Sequence, residues 1–236
     1  MATRAGVLCR RQPIPLLLNQ MPVSNQKPMG ISSASKLVVD EMKNTQKTTG
    51  QQTGLWQDGW FLPAQRIESP NQDARAPDTV VDLVVIHAIS LPPGHFGGPA
   101  VAQLFSNQLN PDEHAYFAEI AHLKVSAHFF IRRDGALIQF VPVTARAWHA
   151  GVSSWQGRER CNDFSVGIEL EGDDETPFEA AQYATLQSLL KALATELPIK
   201  AVTSHSHVAP GRKTDPGPCF DWAYVRQVCP DLTIAP

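Results

Sequence analysis

The segment Val80-Val-Asp-Leu-Val-Val-Ile86 sets the strongest limit on the fold of this 236-residue chain. Side chains alternate between the two faces of a strand, and here both faces are apolar, so both must be covered. Such a strand belongs in the middle of a sheet with a layer on each side. Further segments supply neighbours and cover. Ala127–Ile131 and Ala136–Val141 flank Arg133-Asp134-Gly135, and Asp-Gly between apolar runs predicts a hairpin. Phe164–Leu170 reads as another strand and Ile199–Ser204 as a third. Ala181, Ala184, Leu186, Leu189, Leu190, Leu193 and Leu197 recur at three-and-four spacing, which predicts a helix over Phe178–Leu197. Thr176 is its expected N-cap, with Pro177 in the first turn and Glu179 completing a near capping box. Ala100–Asn107 and Asp221–Val228 read as shorter helices. The order predicts an α/β (α+β) architecture, a central mixed β-sheet covered by helices.

Residues 1–52 differ from the rest. They mix Gln, Ser, Thr, Lys, Asn and Pro, and carry seven Lys/Arg against two Asp/Glu, about +5, while residues 53–236 carry about −8 of the net −3. So polar a segment buries too little surface to offset its ordering entropy. The expected division is therefore a disordered basic tail over 1–52 and one domain over 53–236. The overall charge gives no nucleic-acid signature. No apolar stretch approaches the ~20 residues that cross a bilayer, so no stable membrane association is expected. The run Ile14-Pro-Leu-Leu-Leu18 is shorter than the core of a secretory signal. Four cysteines, Cys9, Cys161, Cys219 and Cys229, form no CxxC pair. A reduced, cytoplasmic compartment and a monomer are expected.

Chemistry concentrates in Thr203-Ser-His-Ser-His-Val-Ala-Pro-Gly-Arg-Lys-Thr-Asp-Pro-Gly-Pro218, where His205 and Asp215 flank Lys213 in a loop stiffened by proline. His87, at the end of the central strand, is the third candidate ligand. Two imidazoles, one carboxylate and an open position are the plan of a hydrolytic zinc site. Read singly, each histidine could instead be a satisfied core residue, and Asp215 a turn cap before Pro216. Glu169 sits in an otherwise apolar strand, where an unpaired carboxylate is costly. It is read as a proton carrier, the alternative being a structural salt bridge; Glu171 on the same face ranks below it. Lys213 is placed to stabilise an oxyanion, against a plain surface role. His95, His114 and His122 read as loop or surface residues, and His128 as packing or supporting. His149 either lines a groove or packs, and His207 is a weak competitor for the metal.

Six segments then point to one family: Leu83-Val-Val-Ile-His-Ala-Ile-Ser-Leu-Pro-Pro-Gly94, Phe117-Ala-Glu-Ile-Ala-His-Leu-Lys-Val-Ser-Ala-His128, Arg146-Ala-Trp-His-Ala-Gly151, Gln156-Gly-Arg-Glu-Arg-Cys-Asn-Asp163, Val166-Gly-Ile-Glu-Leu-Glu-Gly172 and Arg212-Lys-Thr-Asp-Pro-Gly-Pro218. From about Leu55 to Val228 the chain resembles the AmpD-type N-acetylmuramoyl-L-alanine amidases, a zinc type 2 amidase family. The resemblance implies Zn2+ on His87, His205 and Asp215, with Glu169 and Lys213 catalytic. It implies sugar and peptide contacts from Arg160, Trp148, His149 and Trp155. The implied substrate is a muropeptide, cut between the lactyl group of (1,6-anhydro-)N-acetylmuramic acid and L-alanine in cytosolic peptidoglycan recycling. A periplasmic amidase acting on intact peptidoglycan and a non-catalytic muropeptide-binding module are the alternatives. Two positions depart from the family pattern: Ala88 replaces an asparagine that contacts substrate, and His207 replaces an aspartate.

Overall fold

The apolar run becomes the middle of a sheet. The computed structural model describes residues 54–236; the tail expected over 1–52, and the domain start at residue 53, lie outside them. Seven strands form the sheet: β1 (Gln65–Arg66), β2 (Leu83–Ile89), β3 (Phe129–Ile131), β4 (Leu137–Gln139), β5 (Ser165–Glu171), β6 (Ala201–Ser204) and β7 (Thr233–Ala235). Their order is β7-β6-β2-β5-β3-β4-β1. Every neighbouring pair is parallel except the β3–β4 hairpin, so the sheet is mixed, as expected. Strands β2 and β5 pair along their whole length, Ser165 opposite Leu83 through Glu171 opposite Ile89.

Period-two alternation assigns the two faces. Val84 and Ile86 of β2, Val166, Ile168 and Leu170 of β5, and Val202 of β6 form one apolar surface. Helix α3 (Ala180–Glu196) lays Tyr183, Leu186, Leu189, Leu190 and Leu193 on it. At about 2 kcal/mol for each large apolar side chain buried, that helix face contributes roughly 10 kcal/mol before entropy is counted. The opposite face carries Leu83, Val85 and His87 of β2, and Ser165, Gly167, Glu169 and Glu171 of β5. Its inner end packs on Ala150, Cys161 and Phe164. A separate cluster gathers α1 (Ala100–Phe105) and α2 (Ala115–Ile120) around Leu91, Phe130 and Phe140.

Several expected boundaries shift for local reasons. Helix α3 is capped by Glu179 rather than Thr176: Glu179 has an extended backbone (φ −82°, ψ 151°), and its N–H donates to Gln182 Oε1 at 3.0 Å in a capping box. Thr176 instead donates its N–H to Asp173 Oδ1 in the preceding turn. The hairpin pairs only Phe129–Ile131 with Leu137–Gln139, and Gly135 takes the positive φ (84°) its turn needs. Strand β2 runs two residues past His87, to Ile89. His205 does not enter a loop but opens the single-turn α4 (His205–Val208), where Ser204 Oγ accepts from His207 N at 3.0 Å. Asp221 caps α5 (Trp222–Val228) by accepting from Ala223 N and Tyr224 N. Helix α2 and β7 carry no clear sequence signal; α2 is short, and β7 is a three-residue edge.

Candidate functional site

The carboxyl ends of the parallel strands are where an open α/β sheet offers a crevice. Here β2 presents His87, β5 presents Glu169 directly opposite it, and the β6–α4 junction presents His205. The turn after α4 returns Asp215, whose backbone carbonyl accepts from Ser206 N at 3.0 Å. Residues distant in sequence thereby meet: His87 Nδ1 and His205 Nδ1 stand 2.9 Å apart, and Asp215 Oδ2 is 3.2 Å from the first and 2.9 Å from the second. These three are the group of His, Cys, Asp and Glu side chains able to hold one metal ion among the described residues. Both histidines are buried, so the donors face one another rather than water.

Each imidazole has its second nitrogen bonded as well. His205 Nε2 lies 3.2 Å from Ala150 O, and His87 Nε2 lies 2.9 Å from His149 Nδ1. One loop therefore supports both rings. The Asn162 side-chain oxygen holds that loop by accepting from His149 N and Ala150 N, and Arg212 clasps it by donating to Ala150 O and Val152 O.

Glu169 and Glu171 share a strand face and differ in use. Glu171 is satisfied by Gly97 N and Arg133 N, so it ties the loop after β2 to the hairpin. Glu169 is 8% exposed and its Oε2 has no hydrogen-bond partner. Burial and then the Asp215 charge push its carboxyl well above the ordinary range, with Lys213 opposing them. Burial would also raise Asp215, but the close contacts of the His205 and His87 rings outweigh it and hold that carboxyl far below its usual value. Burial and the neighbouring His205 push His87 down to about 4.

A cleft of about 730 Å³ opens over these groups. Glu169, His205, Lys213 and Asp215 line its floor, and Trp148 and His149 one wall. Leu104, Phe105, Tyr116 and Ile120 from α1 and α2 give it an apolar flank. Ala88 also lines it, leaving a methyl group beside the first histidine. Not every expected contact residue arrives here. Trp155 is buried (5% exposed) against His207, with ring centres 5.2 Å apart, because its strand folds inward onto the core below the loop. Arg160 takes a left-handed backbone (φ 61°), pairs with Asp163, and lines a second cavity of about 520 Å³ beside Arg212. His207 bonds Pro236 O at 2.7 Å, away from the three donors. His95 and His122 are exposed, and His114 caps α2. His128 accepts from Gly167 N at 3.0 Å, a supporting role.

Residues 77–218 match the family model described as N-acetylmuramoyl-L-alanine amidase. The chain belongs to that family. The amidase is 56% identical over 174 residues to the 1,6-anhydro-N-acetylmuramyl-L-alanine amidase AmpD of Citrobacter freundii, covering 73% of this chain and 93% of the relative. It is 55% identical to the AmpD of Escherichia coli (strain K12), covering 95% of that protein. The crystal structure of a selenomethionine AmpD derivative superimposes with a TM-score of 0.72 at 55% identity, over 74% of this chain and 98% of that one. No described helix of the amidase is long and apolar enough to cross a membrane.

Sequence reasoning missed Ser165, Gly167, Asn162 and Arg212 as contributors to the site. A signal existed for two of them. Ser165 and Gly167 stand at period-two spacing before Glu169, small residues on one face of a strand whose other face is Val, Ile and Leu.

Burying so many imidazoles makes the metal-free amidase acid-sensitive. Desolvation holds His87, His128 and His149 below their unfolded value of about 6.5, so below that pH the unfolded chain binds three protons the folded chain refuses. Glu169, raised when folded, opposes with one proton above its unfolded value of 4.5. The balance of about two protons removes roughly 3 kcal/mol of stability per pH unit between about 6 and 4.5. Urea midpoints of chelator-treated protein should therefore fall steeply from pH 7 to pH 5. A flat profile across that interval would contradict neutral, buried rings.

Proposed function

We propose that this amidase is a zinc-dependent hydrolase of muropeptides. It would cut the amide between the lactyl group of (1,6-anhydro-)N-acetylmuramic acid and the L-alanine of the stem peptide. The convergence of His87 Nδ1, His205 Nδ1 and Asp215 Oδ2 carries the reading. Four ligands about 2.05 Å from a tetrahedral zinc lie about 3.3 Å from one another. The observed edges of 2.9–3.2 Å need only a slight spread to admit the ion. Two imidazoles and one carboxylate leave a fourth position open, as in hydrolytic sites. Zinc held there would polarise the scissile carbonyl and acidify a water.

The protein's own groups account for the rest. Glu169 is a proton acceptor made more basic by its burial, with an oxygen spoken for by no other group. It would take the proton of the attacking water and pass it to the departing L-alanine nitrogen. Lys213 lines the same cleft and would bring positive charge to the carbonyl oxygen as it becomes an oxyanion. The apolar flank and Trp148 offer stacking area to the sugar and stem peptide. The preference for the anhydro-sugar and a place in cytoplasmic recycling rest on similarity to the 1,6-anhydro-N-acetylmuramyl-L-alanine amidases.

Mass spectrometry of purified protein with anhydro-muramyl tripeptide checks reaction and cofactor together. Free tripeptide is expected from zinc-loaded protein and none from chelator-treated protein, with activity restored by added zinc. Turnover undiminished by a strong chelator would remove the metal from the reading. An uncut substrate that nevertheless binds would indicate a recognition module instead.

A further inference from the structure

Behind the three donors runs a chain of hydrogen bonds whose direction is fixed from its far end. The Cys161 carbonyl can only accept, and Ser165 Oγ lies 2.6 Å from it, so the serine hydrogen is committed there. On its other side Ser165 Oγ is 3.3 Å from His149 Nε2 and has only lone pairs left, so Nε2 must carry the proton. A neutral imidazole holds one proton, which leaves His149 Nδ1 bare. His87 Nε2, 2.9 Å away, must then donate to it, and His87 Nδ1 is left as a lone pair aimed at His205 and Asp215. Metal ligation requires a neutral His87, and the partners of the His149 ring are an imidazole and a hydroxyl, with no carboxylate to hold a second proton.

Space for the relay is built into β5. A Cβ placed on Gly167 would stand 2.4 Å from His149 Cγ, so only glycine leaves the slot in which that ring lies over the strand. Of three successive inward positions of β5, two serve the relay and one the chemistry: Ser165 ends the relay, Gly167 houses it, and Glu169 faces the cleft. His205 reaches the same outcome by a shorter route, because Ala150 O can only accept and so keeps the proton on His205 Nε2.

We propose that His149 and Ser165 are positioning residues that hold His87 as its Nε2–H tautomer and so pre-set Nδ1 as a metal ligand. The proposal rests on the zinc reading above but is separable from it. A wrong tautomer would put a hydrogen on Nδ1, at the point where the ion must sit. Outer partners of this kind typically change metal affinity by about 10- to 100-fold.

Two measurements test it. In zinc-loaded parent protein, long-range 1H–15N correlation spectra should show the His149 proton on Nε2 with Nδ1 bare, and the His87 proton on Nε2. A proton on His149 Nδ1, or on both its nitrogens, overturns the relay whatever the variants do. Zinc affinity is then measured by competition with a chromophoric chelator. Ser165→Ala should weaken binding about 10-fold and His149→Leu up to about 100-fold. His149→Gln, whose amide can still accept from His87 and donate to Ser165, should recover to within a few-fold of parent. If Ser165→Ala and His149→Leu melt like the metal-free parent and bind zinc with parental affinity, the relay has no function and the proposal fails. If His149→Leu does not fold, the parental spectrum and Ser165→Ala decide alone. A parent protein that binds no zinc would instead refute the metal reading, a result distinct from either.

Discussion

Replacing Glu169 with glutamine is expected to lower turnover of anhydro-muramyl tripeptide by about 10²- to 10⁴-fold, the usual contribution of a positioned acid–base group. Glutamine keeps the shape and removes the ability to take and return a proton. Bound zinc should remain at one ion per chain, because Glu169 is not among the three donors that converge. Stability should not fall and should tend to rise. The wild-type carboxylate is buried with one oxygen unpartnered, in a place where Asp215 adds a second negative charge. Its ionisation therefore costs folding free energy that a neutral amide avoids in large part. A loss of rate without loss of metal or melting temperature is hard to obtain by damaging the fold. Near-parental kcat in this variant would show that another group carries the proton.

That carboxylate was legible in the sequence because it broke a pattern. A charged residue among Val, Ile and Leu at strand spacing demands a reason, and so does a histidine at the end of an apolar run. Helix α3 and the Asp-Gly hairpin were legible for the converse reason, because they keep to local, periodic signals. What was not legible depends on the third dimension. His149 reads as a groove residue, and it does line the cleft, but its ring also bonds His87 sixty-two positions away. No spacing rule reports such a contact. Trp155 was expected to contact sugar or peptide through the family resemblance alone; the ribbon Ser154–Trp155 and Arg158–Glu159 turns its ring into the core. Glu171 differs from Glu169 only in what the loop after β2 and the hairpin offer it, two backbone N–H groups that no strand pattern encodes.

Asp215→Ala is expected to abolish the metal centre while leaving Glu169, Lys213 and the cleft walls in place. Structural zinc sites are worth about 10–16 kcal/mol over four ligands, so each ligand contributes about 3 kcal/mol, or roughly a hundredfold in affinity. The loss here should be at least that large. The carboxylate is the one anionic donor, so it alone of the three ligands offsets the charge of the ion. Zinc should accordingly be stripped by a chelator concentration that leaves parental protein loaded, and tripeptide release should fall below detection even at saturating substrate. Set beside Glu169→Gln, this variant separates two jobs within one cleft: the first keeps zinc and loses proton transfer, the second loses zinc and keeps the proton carrier. Parental zinc affinity in Asp215→Ala would mean that the ion sits elsewhere, and the facing imidazoles of His87 and His205 would then need a different explanation.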